Sequence, residues 1–233
     1  DADYFVQSIF NCCLINISDM LDNGTVMNGK MIESPKSFQV ACTVMTQIIA
    51  AVASSQYGGQ SVDISHLGKY LRKTKEKFLR NYKEKFADIL SDEAIEKLAA
   101  DRTMDELKSG VQTIQYQINT LMTTNGQAPF LTIFMYLNEA KNESEKKDLA
   151  LITEEMLRQR IKGVKNEKGV WITPAFPKLI YVLEEDNIRE GEPYYYLTEL
   201  AARCTAKRMV PDYISEKKMK ELKEGNCFPV MGC

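Results

Sequence analysis

The chain has 233 residues, enough for one large α/β domain or two small ones with a substantial core. Its hydrophobic content of 44%, charged content of 27% and net charge of −2 are ordinary and give no basic face of the kind that binds nucleic acid. No apolar run reaches the roughly 18 residues of a membrane-spanning helix, and no signal peptide is visible. Six cysteines are scattered at 12, 13, 42, 204, 227 and 233, with no C-x-x-C pair, so neither a disulfide framework nor a zinc site is expected. Reduced thiols in a cytoplasmic protein are the better reading. Asp1-Ala2-Asp3 is no initiator sequence and the last residues form an apolar loop, so a piece of a longer protein is expected.

Residues 10–17, FNCCLINI, predict a short buried strand, and Ser18 to Gly24 a capped helical turn closed by glycine. Met27 to Pro35 reads as a polar loop. Ser34 and Pro35 then suit the cap and first turn of a helix over 36–55, on which Ala41, Val44, Met45, Ile48, Ile49 and Val52 keep helical spacing. That wide stripe of small residues predicts helix–helix packing, and Gly58-Gly59 ends the segment. Further helices are predicted over 69–85 (Leu71, Phe78 and Phe86 on a narrow stripe), 92–100 and 104–122. A turn over 123–129 feeds a strand at 130–137, rich in β-branched and aromatic residues. A charged helix over 141–162, a buried strand at 178–183, and helices over 196–209 and 215–224 complete the chain. Strands separated by long helical stretches imply parallel pairing with crossover helices, and four or five strands would make half of a barrel rather than a closed one.

Chemistry centres first on the thiols. Cys42 and Cys204 fit the ordinary role of a buried cysteine as a small hydrophobe. Cys12 and Cys13 lie in a strand and point to opposite faces, so only one can serve a given site. Cys233, after Pro229-Val230-Met231-Gly232, is poorly suited to simple packing. Glu33, Lys36, Gln47 and Lys77 read either as solvated polar residues or as groups that recognise a base edge and neutralise a phosphate. Gly58-Gly59 is a helix stop or a place where backbone N–H groups approach a phosphate. His66, the sole histidine, lies just past a strand as a packing or capping residue, so hydrolase triads have one possible base and are discounted.

Eight blocks in order carry a resemblance along essentially the whole chain. They are FNCCLINI (10–17), NGKMIESPKS (28–37), ASSQYGGQS (53–61), TTNGQAPF (123–130), RIKGV (160–164), TPAFPKL (173–179), LAARCTAKRMVPD (200–212) and PVMGC (229–233). With these the chain resembles the anaerobic, class III ribonucleoside-triphosphate reductases, which are glycyl-radical enzymes. The resemblance implies that residues 1–233 form the first half of a ten-stranded α/β barrel, ending at the tip of a threaded loop and carrying long dimer-interface helices. Cys233 matches the cysteine that becomes a thiyl radical and abstracts the 3′ hydrogen of the substrate ribose. Cys12 matches the thiol on the other sugar face, which supplies a proton or hydrogen as the 2′ hydroxyl leaves as water. Glu33, Lys36, Gln47 and Lys77 match a specificity site for deoxynucleoside triphosphates, and Gly58, Gly59 and Asn125 lie in substrate-facing loops.

The same resemblance implies ribonucleoside triphosphates as substrate, ATP and deoxynucleoside triphosphates as effectors, and formate as reductant. It also implies a homodimer, a radical-SAM activating enzyme, and a radical glycine and zinc site in segments beyond these residues; no nucleic acid or membrane partner is expected. Two alternatives stand beside it. One is another glycyl-radical enzyme, of the pyruvate formate-lyase or dehydratase kind; the other is a non-catalytic nucleotide-binding module.

Overall fold

A computed structural model describes residues 12–55, 58–123, 126 and 128–230. Five strands form one parallel sheet: β1 (Cys13–Leu14), β4 (Gln60–Asp63), β5 (Leu131–Met135), β8 (Lys178–Leu183) and β9 (Asp212–Ser215), side by side in chain order. The parallel pairing with helical crossovers follows the sequence expectation. Strand order without a reversal has a consequence. Crossovers of one hand then put every crossover helix on the same face of the sheet. The burial agrees, since Val62, Leu131, Ile133, Met135, Leu179 and Tyr181 join the helices in one core. The second face carries a separate, smaller cluster of Phe134, Tyr136, Ile180 and Val182.

Before that core closes, α1 (Ile17–Asp22) is capped by the Asn16 side chain, which accepts the Asp19 N–H at 3.2 Å. The polar loop expected at 27–35 is instead partly a hairpin, β2 (Thr25–Met27) with β3 (Lys30–Ile32). Asn28 and Gly29 both take positive φ, 50° and 72°, the pairing that a two-residue hairpin turn demands.

Helix α2 (Phe38–Ser55) starts later than Ser34-Pro35 implied. Its first N–H, on Phe38, is satisfied by Thr74 Oγ1 at 2.8 Å, and that of Gln39 by Glu106 Oε1 at 3.1 Å, so tertiary partners replace a local cap. By length and composition α2 would suffice to cross a membrane, but half of it is buried inside the protein, with Ala41, Cys42, Met45, Ile48 and Ile49 in the core. Cys204 is likewise fully buried, and both cysteines pack as expected.

Helix α3 (Gly68–Phe86) runs beside α4 (Asp92–Thr120). The two helices expected at 92–100 and 104–122 are this single α4 of 29 residues. No Gly or Pro interrupts 101–103, and Thr103 Oγ1 donates to the Ala99 carbonyl at 2.7 Å within the helical ladder. Gly110 lies where α2 comes closest, with a Cβ position 2.6 Å from the Phe38 ring.

Helix α5 (Glu143–Lys162) is entered through a reciprocal cap: Asn142 Oδ1 accepts the Glu145 N–H, and Glu145 Oε2 the Lys141 N–H. It stops at Gly163 with φ 83°, which opens an unanticipated hairpin of β6 (Val164–Lys165) and β7 (Trp171–Ile172). After β8, α6 (Tyr195–Arg208) ends at Met209 in the left-handed region. Strand β9, to which the sequence pattern assigns no element, leads into α7 (Glu216–Leu222), capped by Ser215. His66 sits in the turn after β4, where burial pushes its pKa down, in keeping with a packing role.

Candidate functional site

Alternation along the short edge strand decides which cysteine faces what. Cys13 packs against the main helix-side core, so Cys12 belongs to the second face. The register is held by two backbone bonds, Cys13 N–H to the Gly59 carbonyl and Ile15 N–H to the Ser61 carbonyl, both 3.0 Å. At this edge Cys12 Sγ accepts the Gly59 N–H at 3.3 Å. Gly59 is required there by close approach, because a Cβ would lie 2.9 Å from Cδ1 of Phe130. The Phe130 ring is itself held by Phe176, 4.5 Å away between centroids. Arg160, fully buried, holds the Phe176 loop by donating to the carbonyls of Pro174, at 2.8 Å, and Pro177. Gly58 is half-buried, and its carbonyl accepts Nε2 of Gln60 at 2.8 Å.

The segment after α7 returns across this second face. Cys227 and Val230 pack on the cluster of Phe134, Tyr136, Ile180 and Val182, with Ile214 beside them. Ser61, 1% exposed on β4, donates its hydroxyl to the Val230 carbonyl at 2.9 Å. The structure thus gathers Cys12, Gly58, Gly59 and Ser61 at one edge of a face crossed by the terminal segment. Cys233 and Asn125 lie outside the described residues.

At the carboxyl ends of the strands stands a polar cluster that sequence reading missed. Glu184, 2% exposed directly after β8, accepts the N–H groups of Leu137 at 2.9 Å and Asn138 at 2.8 Å. Burial pushes its carboxyl up to about 8, against the pull of those N–H groups and of Lys146. Glu216, directly after β9, accepts from Tyr136 at 2.6 Å, Lys220 at 2.7 Å and Asn138 at 3.0 Å. Burial works to raise Glu216, but the bonds from Lys220, Tyr136 and Asn138 hold it below its ordinary value. The Cys227 thiol is pushed up to about 11 by burial and by the charges of Glu216 and Glu184, so it stays protonated near neutrality. Together these residues tie β5, β8 and β9 beside a cleft of about 830 Å³. Their one sequence signal is an acidic residue at the carboxyl end of a strand, where α/β proteins place functional groups.

The four expected effector residues are spread along the helix side. Glu33 and Lys36 are exposed between β3 and α2, Lys77 is half-buried on α3 and Gln47 is exposed on α2. The Thr74–Phe38 bond brings the Lys77 turn of α3 to the start of α2, which Lys36 precedes by two residues. Gln47 stands about 13 Å further along the α2 axis. No hydrogen bond or ion pair joins any two of the four. Among the described residues, no group of His, Cys, Asp or Glu is arranged to hold a metal ion.

Residues 1–233 match the family described as anaerobic ribonucleoside-triphosphate reductase. Over 241 residues, the chain is 37% identical to the anaerobic ribonucleoside-triphosphate reductase of Enterobacteria phage T4, covering all of this chain and 37% of that protein. The proteins of the same name from Escherichia coli K12 and Haemophilus influenzae are 35% and 34% identical over 238 residues, again across the whole chain and 31% of each relative. The chain therefore spans about a third of the length of the relatives it matches.

Proposed function

The chain belongs to the anaerobic ribonucleoside-triphosphate reductase family, and from that membership we propose that it carries the paired thiols of a radical ribonucleotide reductase. The substrate is a ribonucleoside triphosphate, held between Cys12 and Cys233. A thiyl radical on Cys233 takes the 3′ hydrogen of the ribose. Cys12, from the other face of the sugar, delivers a proton or hydrogen as the 2′ hydroxyl leaves as water, and formate supplies the reducing equivalents. The glycyl radical provides the one-electron oxidising power from which the thiyl derives.

One observation carries this reading: Cys12 lies on the sheet face that the segment leading to Cys233 crosses. Ser61, which binds Val230, is two strand positions from Gly59, the partner of Cys12, a separation of roughly 6.6 Å. From Val230, three residues of chain reach at most about 11 Å. Those spans accommodate two sulfurs separated by a sugar. The apolar lining from Phe134, Ile180, Val182 and Ile214 suits radical chemistry, which has to be kept from water and oxygen.

The ten-stranded barrel belongs to the same proposal. Five parallel strands in chain order, with the crossover helices on one face, support that reading, and β1 and β9 are the edges at which further strands would join. Glu33, Lys36, Gln47 and Lys77 are proposed as the site for deoxynucleoside triphosphate effectors at a homodimer contact, which couples effector identity to substrate choice. The exposed Val40 and Gln47 on α2 offer the surface for that contact. A radical-SAM activating enzyme is the further partner, in the reducing cytoplasm. Deoxynucleotide formation by the full-length reductase tests the thiol assignment. Cys12→Ser and Cys233→Ser should each abolish turnover while leaving substrate binding intact, and preserved product formation by either variant would overturn it.

A further inference from the structure

From the bond between sheet and terminal segment, we infer that Ser61 is a positioning residue: it sets where the segment ending at Cys233 lies relative to Cys12. The inference rests on the thiol-pair reading above and adds the group that fixes the pair's separation.

Between residues 226 and 230 the chain touches the second face through apolar packing of Cys227 and Val230, which resists lifting but sets no register along the strands, and through a weak side-chain hydrogen bond between Cys227 and Tyr136. Phe228 donates its N–H to the sulfur of Met219 at 3.4 Å, a weak bond on the α7 side. Both of those bonds involve sulfur, whereas the Ser61 hydroxyl makes a full-strength bond to the main chain of the segment. It is buried on β4, the strand next to the edge, and donates to the main-chain carbonyl of Val230, three residues before Cys233. Ser61 is itself fixed, because its own carbonyl accepts the Ile15 N–H at 3.0 Å. The edge strand bearing Cys12 and the segment leading to Cys233 are therefore tied to the same residue, one through its main chain and one through its side chain. A shift of the terminal segment by one residue would carry the Val230 carbonyl roughly 3.3 Å along the strand, out of reach of the hydroxyl, which would be left buried without this partner.

The test is the proximity of the two sulfurs in the intact protein, reduced and kept anaerobic. Dibromobimane, a short bis-alkylating reagent, is added and the Cys12–Cys233 linked peptide is quantified by mass spectrometry. Monobromobimane rates at each cysteine report that thiol's own exposure and reactivity, independent of its distance from the other. The expected result is a Cys12–Cys233 link in the native protein that forms at least fivefold more slowly in Ser61→Ala, with unchanged single-thiol rates. Ser61→Thr, which keeps the donor on a β-branched side chain suited to a strand, should restore it; a merely structural role would show equal effects of Ala and Thr on melting temperature and none on the link. Linking in Ser61→Ala at the native rate overturns the positioning role while the thiol pair stands. Absence of the link from the native protein overturns the thiol pair and this inference together.

Discussion

Replacing Gly110 by alanine sets two opposed effects against each other. In an ordinary helix interior the change stabilises by about 1 kcal/mol, because glycine loses more backbone freedom on folding. In α4 the new Cβ would lie 2.6 Å from both Cδ1 and Cε1 of Phe38 and 3.0 Å from Cys42 Sγ. Carbon atoms in favourable contact stand about 3.5–4.0 Å apart, so roughly an ångström must be found. Phe38 and Cys42 are both 0% exposed, and the Phe38 backbone is pinned by Thr74, so neither side chain has free space to enter. Overpacking of this kind costs about 1–3 kcal/mol, and with a full ångström to absorb we place it at the upper end, for a net loss of about 1–2 kcal/mol. For a chain of this length each kcal/mol moves the melting temperature by about 2–4 °C, so Gly110→Ala should melt about 2–8 °C lower by circular dichroism. In a Phe38→Leu background the obstructing ring is gone and the alanine should become neutral or stabilising, giving a coupling energy of about 1 kcal/mol or more. A higher melting temperature for Gly110→Ala in the native background would refute the close approach of α2 and α4.

Two further perturbations address the buried polar groups. The folded-state pKa of Glu184 is raised to about 8 from an ordinary 4.5, so its stabilising contribution is full below about pH 4.5 and is lost as pH rises towards 8. Glu184→Gln should therefore flatten the fall of unfolding free energy between pH 4.5 and 8, leaving the parallel slope from Asp63, raised to about 7; identical slopes in the two proteins would contradict it. Arg160→Leu deprives the Pro174 and Pro177 carbonyls of a charged donor, and urea denaturation should show a loss of about 2–4 kcal/mol. A loss under about 0.5 kcal/mol would mean that burying the guanidinium costs as much as its bonds return.

What sequence could convey followed from how local each determinant is. Strands β5 and β8 are continuous apolar runs rich in β-branched and aromatic residues, and they appear where that pattern places them. The stripe on α2 was legible because one face of a helix repeats within a turn, whereas its start was not, since Thr74 and Glu106 supply the cap from 36 and 67 residues away. Strand β9 has four residues, two exposed and two half-buried, so nothing in its own composition marks it; pairing with β8 makes it a strand. The Asn28-Gly29 pair is itself a hairpin-turn signal, set among polar neighbours that otherwise read as a loop. Glu184 and Glu216 lie in unrelated stretches, and only the sheet brings their partners Tyr136 and Asn138 between them.

The thiol site shows the same division most sharply. That Cys12 and Cys13 face opposite ways follows from the strand period alone. Which of them faces the helices depends on register, and a slip of one residue would exchange the two. The register is set by Gly59 and Ser61, residues nearly fifty positions away that receive the edge strand's N–H groups. Gly59 can do so because it lacks the Cβ that would strike Phe130, and Phe130 is held by Phe176 on a loop gripped by Arg160. Four of the blocks that carried the family resemblance, 10–17, 53–61, 123–130 and 173–179, thus meet at one edge of the sheet, and Arg160 opens a fifth. Their spacing in the chain has no local meaning; their contact in the fold orients one sulfur.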